Sequence, residues 1–312
     1  MHNADTPALV FVLGPTGSGK SALAVELAHR FDGEIINCDS LQLYRGLDIG
    51  TAKITAEEQR GIPHHQLDAL DPEEVFSAGD FARESRKALA AIQERGKLPI
   101  IAGGTGFYVR ALTDGLFDGP PRNHELRSRL NDREASKPGL LHRYLRRLDP
   151  PAAARIHSND VQKTVRAIEV CLQSNRPMTG QFGQTEEPLT GYRFVKLGLA
   201  PDRDALYGRI NLRCQKMFER GLRAEVEGLL AKGYGPDTKA LESIGYKQML
   251  DVLAGRMTEE QALADIQMQT RRYAKRQLTW FRRDPEIHWL DGFGDDPAIA
   301  ARAHEIVRLI KS

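Results

Sequence analysis

An eight-residue stretch near the start of the chain, GPTGSGKS, carries the residue types that bind phosphate. It follows an apolar run, precedes a helical pattern and satisfies G-x-x-x-x-G-K-[ST]. Glycines let successive backbone N–H groups face phosphate oxygens, and the N-terminus of the next helix adds partial positive charge. Lys20 can place an ammonium group on the outer phosphate, and the Ser21 hydroxyl can bind Mg²⁺. The predicted phosphate-binding residues are Gly14, Pro15, Thr16, Gly17, Ser18, Gly19, Lys20 and Ser21.

Two other loops carry polar side chains that could face this phosphate site. The glycine-rich loop GPTGSGKS is typical of nucleotide-binding and ATP-binding proteins, but it does not define a reaction. Asp39 and Ser40 follow one strand-like run, and Thr105 follows another that ends in two glycines. Open α/β sheets bind ligands at the carboxyl ends of their strands, so we expect these loops to converge on the phosphate. Asp39 could be a Mg²⁺ ligand, a general base or a helix N-cap.

The elements that must position these loops alternate between strand and helix. Strand-like runs cover residues 8–13, 34–38 and 98–102, with helical patterns between them. This alternation predicts βαβ units and a parallel sheet. Residues 115–122, with a Pro-Pro pair, interrupt the pattern, and a strand over residues 193–199 resumes it.

We therefore predict an α/β fold, a P-loop NTPase-like parallel sheet flanked by helices, with an inserted helical domain. The predicted catalytic core comprises residues 1–120 and 192–312, including long C-terminal helices. The predicted insertion comprises residues 121–191 and has helical periodicity without convincing strands.

Charge is unevenly distributed along a chain whose net charge is only +2. Residues 122–147 carry eight Lys/Arg against three Asp/Glu, and residues 271–283 carry six against none. The second segment also contains Tyr273 and Trp280. A solvated helix face can produce such a cluster, but two basic segments in a near-neutral chain also suit a bound polyanion.

Composition argues against several other classes of protein. The longest apolar runs fall far short of the roughly 20 residues that cross a bilayer, and no basic-then-apolar leader precedes them. We expect a cytoplasmic protein without a membrane anchor. Cys38, Cys171 and Cys214 are scattered and have no metal-ligand spacing, which favours buried thiols over disulfides or a zinc site. The His64-His65 pair is expected to be structural.

Five further motifs extend the pattern over nearly the whole chain. With the P-loop, they make residues from about 8 to 290 resemble the tRNA dimethylallyltransferases, or tRNA isopentenyltransferases. The motifs are DSLQLYRGLDIGTAK, IAGGTGFYVRAL, RIHSNDVQKTVRAIEV, ESIGYKQM and RRYAKRQLTWFRR. In that family a dimethylallyl group passes from dimethylallyl diphosphate to N6 of adenine at tRNA position 37, next to the anticodon. The chain has no Cys/His finger after Trp289, which suggests a bacterial-type or organellar form of the enzyme.

The resemblance implies substrates, a cofactor and catalytic roles. The P-loop would hold the diphosphate that leaves, with Mg²⁺ as cofactor and the tRNA anticodon stem-loop as partner of a monomeric enzyme. Asp39 resembles the general base that takes a proton from N6, and Thr105 the hydroxyl that assists at the reacting centre. Arg213, in RINLRCQKM, resembles an arginine that contacts the diphosphate. Lys20 completes the implied catalytic set.

The resemblance also implies a set of tRNA contacts, to which the basic segment at residues 271–283 adds its own cations. Tyr246 and Tyr273 are candidate stacking groups, although tyrosines on helices are more often packed. The predicted tRNA-binding residues are Asp39, Ser40, Leu41, Gln42, Thr105, Arg127, Gln162, Lys163, Thr164, Val165, Arg166, Glu242, Ser243, Ile244, Gly245, Tyr246, Lys247, Arg271, Arg272, Lys275 and Arg276.

Three other functions share part of this pattern. A small-molecule kinase would share the P-loop, Asp39 and Mg²⁺, but it would more usually have a mobile lid with arginines and no basic insertion. An isopentenyltransferase acting on free AMP or ATP would share the chemistry in a shorter chain without the insertion. A non-catalytic RNA-binding protein could keep the P-loop as a relic, but Lys20, Ser21, Asp39 and Thr105 are all present.

Overall fold

The computed structural model describes residues 6–116, 119–181 and 188–311. Within these ranges the strands form one parallel sheet in the order β3-β2-β4-β1-β5-β6. The strands are β1 (Ala8–Leu13), β2 (Gly33–Cys38), β3 (His64–His65), β4 (Leu98–Gly103), β5 (Arg193–Leu199) and β6 (Ile287–Leu290). The prediction of a parallel α/β sheet is confirmed, and the two edge strands, β3 and β6, add to the predicted strands.

The central position of β1 follows from its sequence, ALVFVL, in which every residue is buried. A strand covered on both faces needs a continuous apolar run. Val10 lies opposite Ile100 of β4 and Val195 of β5. Because β2, β4 and β1 are parallel neighbours, the loops that follow them leave the sheet side by side at one edge.

Helices cover the sheet and form a second apolar cluster beside it. Leu23 and Leu27 of the first helix pack with Val307 of the last helix against the sheet. A second cluster joins four later helices through Ile210, Val226 and other apolar side chains. The helices of this part of the chain are α1 (Lys20–Phe31), α2 (Ala56–Gln59), α3 (Ala78–Glu94), α4 (Gly106–Thr113), α9 (Arg203–Glu219), α10 (Leu222–Ala231), α11 (Tyr246–Leu253), α12 (Glu259–Phe281) and α13 (Pro297–Lys311).

Residues 113–188 form a compact unit of their own, and residues 1–112 with 189–312 form the other. The smaller unit overlaps the insertion predicted at residues 121–191, and its described elements are helical. Its core is built from Leu130, Leu141, Leu145 and neighbouring apolar side chains. Its helices are α5 (His124–Ser136), α6 (Leu140–Leu148), α7 (Pro150–Arg155) and α8 (Val161–Ser174), followed by a 3₁₀ turn over Thr179–Gln181.

A helix that spans a lipid bilayer must be both long and apolar. Over the described residues, no helix combines the two properties to the extent that a membrane span requires.

Candidate active site

The P-loop between β1 and α1 has a backbone that only glycine adopts easily. Gly14, Gly17 and Gly19 have φ values of 146°, 83° and 85°, in the region that disfavours residues with a side chain. Gly19 is the N-cap of α1, so Lys20 begins the helix. A Cβ atom at Gly19 would lie 2.8 Å from Asp295 Oδ1 and 2.9 Å from Gly294 N, so the C-terminal segment packs against the loop. The loop is therefore fixed in shape from outside.

Two side chains hold Thr16, in the middle of the P-loop. Arg213 of α9 donates from Nη2 to Thr16 Oγ1 at 2.7 Å. Gln277 of α12 accepts the Thr16 N–H at Oε1, at 2.8 Å, and donates from Nε2 to the Gly104 carbonyl at 3.0 Å. Gln277 thus joins the P-loop to the loop after β4.

Gln277 was not among the predicted site residues, although the sequence holds a signal for it. It is 6% exposed and lies in one helical row with Thr270, Ala274 and Phe281, all of which are buried. A buried amide needs hydrogen-bond partners, and loops of a ligand site can supply them. An amide on the apolar face of a long helix therefore marks a position that contacts loop backbone.

Asp39 and Thr105 lie together, as the strand order requires. Asp39 Oδ1 accepts the N–H of Leu41 at 3.0 Å, and residues 40–43 form a turn. No helix begins there, so the N-cap interpretation of Asp39 is wrong. Thr105 Oγ1 accepts the N–H of Ser40 at 3.3 Å, and its own N–H donates to the Cys38 carbonyl at 3.2 Å. The loops after β2 and β4 are thereby joined by one backbone and one side-chain hydrogen bond.

The two cations of this site, Lys20 and Arg213, are partly withdrawn from water. Burial lowers the pKa of Lys20 to about 8; the charge of Asp39 opposes this shift, and that of Arg213 adds to it. Burial also lowers the pKa of Arg213. Lys20 Nζ donates to the Pro15 carbonyl at 2.7 Å, whereas the buried Nε of Arg213 has no hydrogen-bond partner. Both cations would gain from an anion between them, because neither forms an ion pair with a described residue.

Two cavities of about 400 Å³ each adjoin these residues. The first, here the P-loop cavity, is lined by Gly17, Gly19, Lys20 and Ser21 among others. The second, here the adjoining cavity, is lined by residues 242–244 and by other groups from α12 and the loop after β2. The residues that line both cavities are Thr16, Asp39, Thr51 and Arg213. Asp39 and Arg213 therefore stand between two neighbouring ligand spaces.

The predicted tRNA-binding residues of the core divide between the cavities, the surface and the interior. Gln42 lines the P-loop cavity, and Lys247 is exposed. Tyr246 is fully buried, so it is not available to stack on a base, and Gly245 beside it is buried as well. Several other predicted residues line the adjoining cavity, together with Tyr273. They are Asp39, Ser40, Leu41, Glu242, Ser243, Ile244 and Arg276.

The basic segment of α12 presents its cations differently along its length. Arg272, Lys275 and Arg276 are exposed. Arg276 also lies over the ring of Tyr273, 5.6 Å from its centroid. Arg271 is partly buried and donates from Nη1 to Asn211 Oδ1 at 2.5 Å. Of these four cations, Arg272, Lys275 and Arg276 are exposed to solvent, and none of the three forms an ion pair with a residue that the structure describes.

In the insertion, the predicted contacts cluster around one buried carboxylate. Glu169 Oε2 accepts from Arg166 at 2.8 Å and from Arg127 at 3.1 Å, and Arg127 also donates to Gln162 at 3.3 Å. Burial opposes ionisation of Glu169, but these bonds and the Asn123 N–H lower its pKa on balance. The structure thus brings Arg127, Gln162 and Arg166 together.

The other predicted contacts on α8 are placed less favourably for binding RNA. Thr164 and Val165 are 1% and 0% exposed, within the core of the insertion. Their side chains cannot meet RNA from the interior, which corrects the prediction for both. Lys163 is exposed and forms an ion pair with Asp160 at 2.5 Å.

The cysteines and the histidine pair have structural environments. All three cysteines are free and buried, as predicted. Among the described residues, no group of three His, Cys, Asp or Glu side chains could hold a metal ion. His64 and His65 form β3, and His65 Nε2 contacts Glu34 Oε2 at 2.7 Å.

The chain is similar to known proteins over almost its full length. A family model described as IPP transferase matches residues 42–284. A tRNA dimethylallyltransferase of Koribacter versatilis is 55% identical over 303 residues, which cover 97% of this chain and 98% of the relative. The full-length tRNA isopentenylpyrophosphate transferase of Bacillus halodurans is 40% identical, with a TM-score of 0.69 and coverage of 98% and 99%. A eukaryotic dimethylallyltransferase acting on tRNA is 28% identical, with a TM-score of 0.83 and coverage of 97% and 79%.

Proposed function

The chain belongs to the IPP transferase family, with tRNA dimethylallyltransferases among its relatives, and on that premise we propose the reaction that it catalyses. It transfers a dimethylallyl group from dimethylallyl diphosphate to N6 of the adenine at tRNA position 37, releasing diphosphate. The observation that carries this proposal is the pair of cavities with Asp39 and Arg213 in their common wall. A transfer between two substrates needs two adjoining spaces with the reacting groups at their boundary.

The P-loop cavity takes the diphosphate. An allylic diphosphate ionises towards a resonance-stabilised carbocation, so catalysis consists mainly of stabilising negative charge on the departing group. The P-loop amides, Lys20 and Arg213 supply that stabilisation in a site partly shielded from water. The lowered pKa of both cations and the unpartnered Nε of Arg213 support this assignment, because an anion would offset their desolvation.

Mg²⁺ suits the oxygen donors at the mouth of the P-loop cavity. The Ser21 hydroxyl is exposed there and could bind the ion along with diphosphate oxygens, which leaves Asp39 in the same wall to act as a base. Mg²⁺ commonly keeps several waters and binds through one or two protein ligands plus phosphate. When bound, it would neutralise charge that develops on the diphosphate.

The adjoining cavity takes the adenine. The base must leave the anticodon stack before its N6 can react, since a stacked base is out of reach. Asp39 then accepts the N6 proton, and the bond from the Leu41 N–H to Oδ1 fixes the orientation of its carboxylate. Thr105, bonded to the backbone of Ser40, lies beside the same turn and assists at the reacting centre.

RNA binding outside the cavities uses the two basic segments. Arg272, Lys275 and Arg276 are exposed on α12, and Arg276 also lines the adjoining cavity. Phosphate contacts of this kind position RNA, whereas base contacts specify it. We place the enzyme in the cytoplasm as a monomer that meets the anticodon stem-loop of tRNA.

The decisive experiment is incubation of the protein with dimethylallyl diphosphate, Mg²⁺ and unmodified tRNA, followed by digestion and mass analysis of the nucleosides. We expect N6-dimethylallyl adenosine. AMP and ATP serve as alternative acceptors, and ATP labelled at its γ-phosphate tests for a kinase. Product on free nucleotides alone, or label transfer from ATP, would replace the proposed reaction with one of its rivals.

A further inference from the structure

Glu225 of α10 lies outside both cavities, yet its carboxylate accepts four hydrogen bonds. Three come from successive backbone amides, those of Asp48, Ile49 and Gly50, at 3.1, 2.7 and 3.1 Å. The fourth comes from the hydroxyl of Tyr246 at 2.6 Å. Its partners therefore belong to two segments that are far apart in sequence.

Both segments form walls of the adjoining cavity. Gly50 and Thr51 line it from the loop that follows β2, and residues 242–244 line it from the turn that leads into α11. The segments also touch directly, because a Cβ atom at Gly50 would lie 2.4 Å from Cε2 of Tyr246. Glu225 bonds to both segments at their point of contact, and so fixes the position of one wall against the other.

The four donors around Glu225 need a side chain at that position that only accepts hydrogen bonds, as a carboxylate does. Burial, and then the charge of Glu225, raise the pKa of Tyr246 far above its ordinary value, so the phenol stays protonated and donates. Glu225 forms no ion pair with any residue that the structure describes, and its bonds come from amide dipoles and one phenol. An amide side chain in its place would turn an N–H₂ group towards donors.

Resting on the proposed function, we propose that Glu225 is a positioning residue for the acceptor. By bonding to the amides of residues 48–50 and to Tyr246, it holds the walls of the adjoining cavity at the spacing that admits the tRNA adenine. Gly50 and residues 242–244 line the adjoining cavity and not the P-loop cavity, whereas Thr51 lines both, so the larger effect should fall on the acceptor.

The test is steady-state kinetics of Glu225→Gln with both substrates varied. We expect the KM for tRNA to rise roughly tenfold, with kcat and the KM for dimethylallyl diphosphate within about twofold of wild type. Glu227→Gln is the matched control, because Glu227 is exposed on the same helix and pairs with Arg223 at 3.0 Å. If Glu225 served stability alone, the variant would have a lower melting temperature, but the ratio of the KM for tRNA to the KM for dimethylallyl diphosphate would equal that of wild type.

Tyr246→Phe provides a second test that keeps the carboxylate on the three amides, and it decides the matter if Glu225→Gln fails to fold. We expect a rise of roughly threefold in the KM for tRNA alone. Unchanged KM for tRNA in the folded variants, or equal increases for both substrates, would overturn the positioning role. A wild-type enzyme that makes no product from tRNA would instead contradict the proposed function, so the two failures are distinguishable.

Discussion

Lys20 and Arg213 in the core donate to neutral oxygen atoms of the P-loop, whereas Arg127 and Arg166 in the insertion share the buried carboxylate of Glu169. A desolvated cation without a counter-charge is costly, and a bound anion relieves that cost. A cation already paired on a carboxylate has less to gain. We therefore propose that the core cations take part in chemistry, while those of the insertion are oriented as a preformed surface.

Removing the carboxylate between the cavities should have the largest effect. Asp39→Ala should reduce turnover by roughly two to four orders of magnitude if Asp39 is the general base, with tRNA affinity changed far less. Single-turnover rates and equilibrium binding of tRNA measure the two quantities separately. Asp39→Asn is the matched control for shape, and it should be nearly as slow. Loss of tRNA binding in proportion to the rate would assign Asp39 to RNA positioning instead.

Removing the buried carboxylate of the insertion, that of Glu169, should lower stability and leave the rate of the reaction unchanged. Glu169→Gln leaves two arginines without a full counter-charge, and we expect a local loss of about 2 kcal/mol, since both arginines keep some contact with water. Amides of α5 and α8 should then exchange hydrogen roughly thirtyfold faster.

The hydrogen-exchange measurement on Glu169→Gln has two controls. Amides of β1 and α1 report the core, and Glu125→Gln removes an exposed carboxylate of α5. Unchanged exchange in α5 and α8 would show that the buried ion pairs do not stabilise the insertion, and the contrast with the core would disappear.

The pH dependence of the reaction tests how far burial lowers the pKa of Lys20. In the proposed function Lys20 binds diphosphate in its protonated form, and burial lowers its pKa to about 8, well below the ordinary lysine value. The ratio kcat/KM for dimethylallyl diphosphate should therefore be level below pH 8 and fall about tenfold per pH unit above it. Lys20→Arg, which keeps its charge, should remove that decline. A level profile up to pH 10 would mean that Lys20 keeps its proton.

Much of the site was predictable because its signals are local. The P-loop pattern specifies glycine conformations and a helix N-terminus within eight residues. Once the strands are recognised as parallel, Asp39 and Thr105 must emerge at the same edge of the sheet. The strand order itself, and the two-residue strand β3, depend on pairing between distant segments, and no local pattern encodes that pairing.

The residues that sequence reasoning missed act over long separations. Gln277 bonds to Thr16, which is 261 positions away in the sequence, and to Gly104, which is 173 positions away. Glu225 bonds to Ile49, which is 176 positions away. Glu225 lies outside the quoted motifs, and Gln277 lies inside RRYAKRQLTWFRR at a position that the motif does not mark as part of the site. Each works mainly through backbone groups, which carry no sequence signal. Tyr246 illustrates the opposite case. Its motif places it among the implied tRNA contacts, but its hydroxyl is satisfied in the interior, the packed environment that is more usual for a tyrosine on a helix.

The smallest expected effect concerns salt, and it sharpens the contrast between exposed and paired cations. Removing one protein cation from an RNA phosphate should reduce the slope of log K against log salt by about 0.7 to 0.9. Substituting Arg272, Lys275 and Arg276 together with Gln should therefore flatten the slope for tRNA by roughly two units.

Arg127→Gln in the insertion should change the slope by less than about half a unit, because Glu169 already neutralises that guanidinium. Filter binding of tRNA between low and physiological salt gives both slopes. Equal slopes for the triple variant and wild type would assign this face of α12 to packing, and a decrease of a full unit for Arg127→Gln would mean that pairing does not withdraw a cation from RNA.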